Sequence, residues 1–413
     1  MSDDSMERPK LRSSIDVAPV EQDGRQMLVL YDAAGLAAGN LGLTQGAFAI
    51  VTLMNGQNTL NDILAIFAQQ FRQELPSERL VELLHQLDRN GMLEGPRFEA
   101  RFEQLAESYR KADVRPSQAM SADVKPDQLR DNLRAIIDEG QPSTDGQRVV
   151  GLIAPHLDYE RGRPCYAEAY AQLRDRDDVD RFVILGTNHF GRSETAVWTI
   201  KDYDTPLGRA ETDREFIDRL RERCGADLGV QELDHAREHS VELQVILLKA
   251  LLGSRPVKIV PVLCPDACGP GGLRPASGTG PGLDDVAAAL ADVVTETPGH
   301  TCVIAAADLS HVGRRFGDDR DLDDAFLQDV QAEDRALLDL LEAGDADELV
   351  SRLRDRENPY RVCSAGGLYV LLRAVRGCTV RVLRYHQAVN REEHTGVTCA
   401  AAVMTPGNAA QEG

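Results

Sequence analysis

Aromatic side chains are scarce in this sequence. Phenylalanine, tyrosine and tryptophan make up 5% of the 413 residues, with one tryptophan. Single-stranded nucleic acids are held by stacking bases on such rings, so this scarcity argues against a platform of that kind. Positive charge is short as well: 46 lysines and arginines face 67 aspartates and glutamates, a net charge of −21. So acidic a surface repels phosphate backbones, and no nucleic-acid partner is expected. Long apolar runs are missing. The longest reach about ten residues, about half of what a helix needs to cross a bilayer, so no membrane partner is expected either. The opening MSDDSMERPKLRSS is polar and lacks the apolar segment of a secretory signal. No CxxC pair occurs among the eight cysteines, and several end or interrupt apolar runs, where cysteine acts as a small buried hydrophobe. A reduced, cytoplasmic protein is expected. What the chain does have is 42% hydrophobic residues, at a length that supports a sizeable core and two or three domains.

Residues 1–24 are polar and are read as a flexible N-terminus. Residues 25–97 behave as one unit. MLVLYD reads as a short strand and TQGAFAIVTLM as a packed helix. NTLNDILAIFAQQF and SERLVELLHQLDRNGMLEG place leucines, isoleucines and a phenylalanine at helical spacing, with MLEG as a closing strand. Helix–helix–strand at this size is winged-helix-like. The second of those helices balances Glu78, Glu82 and Asp88 against Arg79 and Arg89, a poor surface for phosphates. Residues 98–113 read as a connecting helix.

Residues 114–408 are read as one α/β unit: a loop, a helix in KPDQLRDNLRAIIDEG and a linker come first, and from 149 the pattern changes. VVGLIAP, RFVILGT, VKIVPVLC, TCVIAAADLS, VRVLRYH and GVTCAAAVMT are short apolar runs rich in β-branched residues, most of them separated by helical stretches. Continuous apolar strands alternating with helices indicate a sheet with helices on both faces. Ligands gather at the carboxyl ends of the strands in such sheets. There the chain offers His156 after VVGLIAP, Asn188 and His189 after RFVILGT, and Asp308, Ser310 and His311 within TCVIAAADLSH. In EHSVELQVILLKALL, Glu238 and Glu242 suit a helix N-terminus, whereas His239 suits a partner that orients a ligand histidine. In CSAGGLYVLL, Cys363 precedes a helix, where a thiol becomes a better nucleophile or ligand. Cys165, Cys224, Cys302, Cys378 and Cys399 read as core packing, and Cys264, ending VKIVPVLC, is left between the two. Two histidines with one cysteine fit a three-ligand metal site and equally a metal-free thiol site with histidine as base.

The ordered set APHLDY, ILGTNHFG, YDTPLG, EHSVELQ, IVPVLC, AADLSHVGRRFG and CSAGGLYVLL resembles the Memo family, whose prokaryotic members are often called AmmeMemoRadiSam system protein B. The resemblance covers about 115–405. It implies a fold similar to the class III extradiol dioxygenases, which hold non-haem iron, and one metal ion, iron or copper, held by His156, His189 and Cys363. It also assigns His311 and Asp308 to the family's D-x-x-H motif, and Glu238, His239, Ser240 and Glu242 to its EHS-x-E motif. On this reading His311, Asp308, His239 and Glu242 form the catalytic set, with His311 as general acid/base and Asp308 or Glu242 orienting it. Three departures stand out. Leu157-Asp158 replaces the family's usual Ala-Gly, Gln244 stands where a histidine is common, and Ser-Ala-Gly-Gly follows the cysteine.

The stretch VTLMNGQNTLNDILAIFAQQF…LLHQLDRNGMLEG is similar to the peptide-binding domain of pyrroloquinoline quinone biosynthesis, which adds a peptide as an edge strand. Together the two resemblances imply a metal-dependent, dioxygenase-like oxidoreductase or modification enzyme. Its partner would be a radical S-adenosylmethionine protein or a peptide, engaged through residues 25–97. A non-catalytic scaffold or metal-handling partner is the second reading, and a metal-free Cys–His hydrolase the third.

Overall fold

A computed structural model of the chain describes residues 4–22, 25–119, 124–143, 146–269 and 271–407. Parts of the segments read as loops or termini, at 1–3, 23–24, 120–123, 144–145, 270 and 408–413, lie outside the described residues. The chain divides into two compact units, Met1–Lys111 and Ala112–Gly413.

In the first unit a short helix α1 (Asp4–Glu7) precedes β1 (Ile15–Gln22), β2 (Arg25–Asp32) and β3 (Leu41–Leu43), an antiparallel sheet in that order. Helices α2 (Gln45–Val51), α3 (Leu60–Phe71), α4 (Ser77–Arg89) and α5 (Pro96–Arg110) follow. The expected flexible N-terminus is corrected here: β1 pairs with β2 from Ile15↔Asp32 to Gln22↔Arg25. Ile15 and Val17 pack on the core. Buried Arg12 anchors the approach to the strand through Asp32 at 3.0 Å and the Gly91 carbonyl at 2.7 Å. Pro19 and a sparse apolar alternation hid that strand. MLEG supplies a single bridge, Leu11↔Leu93, in place of a strand. The expected connecting helix belongs to the first unit, where α5 buries Phe98, Phe102 and Ala106.

The second unit runs β4 (Val114–Arg115), α6 (Pro126–Glu139), β5 (Gly151–Ala154), α7 (Arg163–Ala171), β6 (Arg181–Thr187), β7 (Val197–Trp198), β8 (Asp202–Tyr203), β9 (Glu211–Thr212), α8 (Arg214–Cys224) and α9 (Ser240–Leu252). It continues with β10 (Lys258–Cys264), α10 (Leu283–Glu296), β11 (Thr301–Ala306), β12 (Asp308–Val312), α11 (Asp324–Ala343), α12 (Ala346–Asp355), α13 (Ala365–Ala374), β13 (Cys378–Asn390) and β14 (Thr395–Pro406).

Nine strands form one mixed sheet in the order β12-β14-β5-β11-β6-β10-β7, with β13 on β14 and β9 on β10. Strands β5, β11, β6 and β10 are parallel neighbours. Alternate residues of each strand enter opposite cores. Val183 and Leu185 pack with α8 and α10–α13, while Phe182 and Ile184 pack with α6, α7 and α9. Burial on both faces is the reason these strands read as unbroken apolar runs. Among the described residues no helix is long and apolar enough to cross a membrane.

One strand differs from its reading. TCVIAAADLS breaks at Ala307, whose N–H donates to the Ala154 carbonyl at 2.7 Å. The chain then leaves β5 as β12, antiparallel to β14, with a register shift between Asp308 and His311.

Candidate metal centre

The parallel strands β5, β11 and β6 end side by side. Two residues past β5 comes His156, two past β6 comes His189, and β11 lies between them. The two imidazole centroids are 4.9 Å apart at 78°. His239, just before α9, brings a third ring, 5.1 Å from His189 and stacked at 20°, and 5.7 Å from His156. One ring nitrogen of each lies within 4.8 Å of the other two, so His156, His189 and His239 form a group able to hold a metal ion. The Cys363 sulfur lies 3.5 Å from His156 Nε2 and 3.4 Å from the Ser364 hydroxyl. The His156 side chain is 3% exposed, His189 22% and His239 37%, so the cluster is closed on one side and open on the other.

Backbone and carboxylate partners fix the rings. His156 Nδ1 faces the Ala306 carbonyl at 2.9 Å, so as an N–H donor it leaves Nε2 for the cluster. His189 Nδ1 is 3.1 Å from both oxygens of Glu238, which also accepts the His189 backbone N–H at 3.0 Å and that of Ser240 at 2.9 Å. The α9 start is further tied down by Ser240, whose hydroxyl accepts the Thr187 N–H at 3.1 Å. Gln244 donates to the Pro155 carbonyl at 2.7 Å and accepts the Tyr170 hydroxyl at 2.8 Å. Gln244 therefore holds the residue just before His156.

Charge follows this geometry. Burial opposes a proton on His156, but the Asp308 carboxylate and Cys363 raise its pKa to about 9. Burial likewise opposes the charge on His189, and Glu238 with Cys363 overrides it. Burial, and the neighbouring His156 and His189 against the pull of Glu238, push His239 down to about 4, leaving it neutral at pH 7. Burial would raise the Cys363 thiol, yet His156 and His189 hold it well below the ordinary thiol value. Three imidazoles and a thiol, from which a bound cation would displace the protons, are the nitrogen and sulfur donors that suit iron, copper or zinc, so the residues fit a metal.

Not every expected residue arrives there. Asp308 does: Oδ1 accepts the His156 N–H at 3.0 Å and Oδ2 is 3.6 Å from His156 Nε2. Its side-chain hydrogen bonds go to the His156 and Leu157 backbone, and His311 acts on it through charge. His311 is half-buried in β12, its Nδ1 on the Leu309 carbonyl at 3.1 Å and its ring 5.3 Å from Phe316, outside the three-histidine group. Ser310 is carried off to Asp334 at 2.6 Å. Glu242 is corrected outright as a candidate for orienting His311. Its carboxylate is fully buried against Arg115 at 2.7 Å and accepts from Ser117 at 2.6 Å and the Gln118 N–H at 2.9 Å. His239, expected to orient a ligand from outside, reaches the cluster itself. Asp158 pairs with Arg161 and is 53% exposed. Burial pushes the Cys264 thiol up to about 12, as for a core cysteine. The sequence reading missed the buried clamp of Glu238 on His189, because an acid at a helix start is already accounted for by the helix end.

The fold and this cluster define an α/β protein with a histidine-rich candidate metal centre at the carboxyl ends of parallel strands. The family model for Memo-like proteins matches residues 119–404, and the chain belongs to the Memo family. A MEMO1 family protein of Aquifex aeolicus is 24% identical over 355 residues, 86% of this chain and 88% of that protein, so the match reaches into the first unit. One of Methanococcoides burtonii is 28% identical over 232 residues, 56% of this chain and 75% of its own, and one of Methanobrevibacter smithii is 31% identical over 186 residues, 44% and 60%.

Proposed function

We propose that the second unit holds one mononuclear iron or copper ion through His156, His189 and Cys363, with His239 as a neighbouring donor, and acts as a non-haem, dioxygenase-like oxidoreductase or modification enzyme. The observation that carries this reading is the convergence of three imidazoles on one half-open rim, with the Cys363 sulfur 3.5 Å from one of them. The chemistry a metal supplies at such a site is redox activation of dioxygen or substrate at positions the protein leaves open, and a thiolate donor favours the softer copper(I). The chain's own residues orient and poise. The Ala306 carbonyl and the Glu238 carboxylate occupy Nδ1 of His156 and His189, turning each Nε2 toward the cluster. Asp308 steadies the backbone at His156. His311, outside the three-histidine group but near enough to act electrostatically on Cys363, is proposed as the general acid/base.

The first unit, read as winged-helix-like, is proposed to dock a peptide or a radical S-adenosylmethionine protein. If turnover depends wholly on that partner, the chain is instead a scaffold or metal-handling protein. Eight free cysteines support a reducing, cytoplasmic setting. The low-pKa Cys363 beside His156 favours one further reading, a metal-free thiol hydrolase, which would keep full activity after chelation. The deciding experiment is metal content after anaerobic purification, for the wild type and for His189→Ala and Cys363→Ala. Near-stoichiometric iron or copper lost in both variants is expected; a wild type that takes up no metal on reconstitution sinks the oxidoreductase reading.

A further inference from the structure

Arg115 plays no part in the site as described, yet its fully buried side chain is directed at the segment that carries two members of that site. Its Nε donates to the His235 carbonyl and Nη2 to the Glu238 carbonyl, both at 2.7 Å, while Nη1 pairs with Glu242 at 2.7 Å. Glu242 is held from its other side by the Ser117 hydroxyl at 2.6 Å. The guanidinium lies 4.7 Å over the Tyr203 ring, and the Tyr203 hydroxyl is 2.9 Å from His235 Nδ1. Residues 235–242 are thus gripped at three points, one of them the Glu238 carbonyl, and His239 follows directly on that point.

We propose that Arg115, with Glu242 as its counter-ion, is a positioning residue for the candidate metal centre. By fixing the 235–242 turn it brings the Glu238 carboxylate to His189 and the His239 ring to the other two histidines. The proposal rests on the metal-centre reading above. An ion pair kept only for stability is commonly exchanged for apolar residues without loss. Here the donors go to turn carbonyls, and guanidinium geometry is what lets one side chain reach two carbonyls and a carboxylate together.

The test uses the full chain. Arg115→Met with Glu242→Leu removes both charges together, leaving neither unpaired in the interior. Arg115→Lys keeps the charge but cannot span both carbonyls. Two quantities are read: Co(II) affinity by titration into the metal-free chain, and the imidazole 15N–1H resonance of His189, whose Nδ1–H is held by Glu238. Both variants are expected to keep the wild-type far-UV circular dichroism, to bind Co(II) about 10–100-fold more weakly, and to lose the His189 resonance. A purely structural role would lower the thermal midpoint and leave affinity and resonance in place, which would overturn the proposal. Should both ion-pair variants unfold, Ser117→Ala is read in the same way, with a smaller loss expected. If the wild type takes up no Co(II), the metal reading falls, and the resonance of the metal-free chain still decides whether Arg115 positions the turn.

Discussion

Replacing Glu238 by glutamine alters almost nothing in shape and removes one charge from beneath the cluster. The carboxylate is 1% exposed and accepts from three donors, the backbone N–H groups of His189 and Ser240 at 3.0 and 2.9 Å and His189 Nδ1 at 3.1 Å, with His239 Nδ1 3.3 Å away. An amide has one acceptor oxygen and turns its NH2 against at least one of those donors. Hydrogen bonds to a buried charge contribute about 1.5–3 kcal/mol each, so losing one and opposing another should destabilise the fold by about 2–4 kcal/mol. Loss of a partner that orients a ligand histidine costs about 10–100-fold in metal affinity, or about 1.4–2.8 kcal/mol. Despite burial, His189 and His239 hold the Glu238 carboxyl far below its usual range. A depressed folded-state pKa gives stability that is present above the unfolded value, about 4.3, and is lost as pH falls below it. The deficit of the variant should therefore shrink in acid, and because Glu238 also raises His189 it should shrink again as pH rises through the raised His189 value. Urea unfolding can be followed by the fluorescence of Trp198, the one tryptophan and 1% exposed, alongside metal titration. Asp158→Ala is the control. This carboxylate is two residues from His156 but exposed, and should change stability by no more than about 0.5 kcal/mol. A Glu238→Gln protein within that margin and within twofold in metal affinity at pH 7 would refute the reasoning.

Gln244→Leu should cost about 1–3 kcal/mol, because it strands the Pro155 carbonyl and leaves the Tyr170 hydroxyl only the 3.4 Å contact with the backbone carbonyl of residue 244. Adding Tyr170→Phe should cost less than the sum of the two single changes, measured as unfolding free energies in a double-mutant cycle. Gly191→Ala should destabilise by about 1–3 kcal/mol and weaken metal binding, since a Cβ there would run into Asn188 and Asp234, which shape the loop after His189; unchanged thermal midpoint and affinity would count against it. Asp213 gives an acid-side test away from the site. Burial opposes its charge, but Arg181 at 2.7 Å and the Phe216 N–H hold its carboxyl below the usual range. The advantage of wild type over Asp213→Asn should be constant between pH 7 and 5 and fall away below about pH 4, read from urea midpoints.

The sheet was legible because its strands are buried on both faces. GLIA, RFVILGT and KIVPVLC carry almost no polar residues, and the turn signals and helices between them leave few other arrangements. The strand in the N-terminal segment was illegible for the opposite reason. In IDVAPVEQ one face is open, a proline interrupts it, and what commits it to the sheet is the pairing with RQMLVLYD and the buried Arg12–Asp32 contact. A two-residue strand such as Val114–Arg115 carries no period at all, so the role of Arg115 emerges only from where its guanidinium ends.

The candidate site divides along the same line. His156 and His189 could be found because a strand fixes where the residues just beyond it emerge, and the parallel strands end at one rim. Asp308 followed from the same rule, but His311 did not, since the chain turns at Ala307 onto β14 and the strand rule stops applying there. His239 and Glu238 come from the start of a helix, where sequence spacing says nothing about which loop lies opposite. Their meeting with His189 depends on Ser240 and Gln244 docking α9 against the ends of β6 and β5. That docking also accounts for the Gln244 departure. Its side chain commits its amide to the Pro155 carbonyl and its oxygen to the Tyr170 hydroxyl. A residue used in this way must donate and accept, which the glutamine does while the three histidines alone make up the cluster.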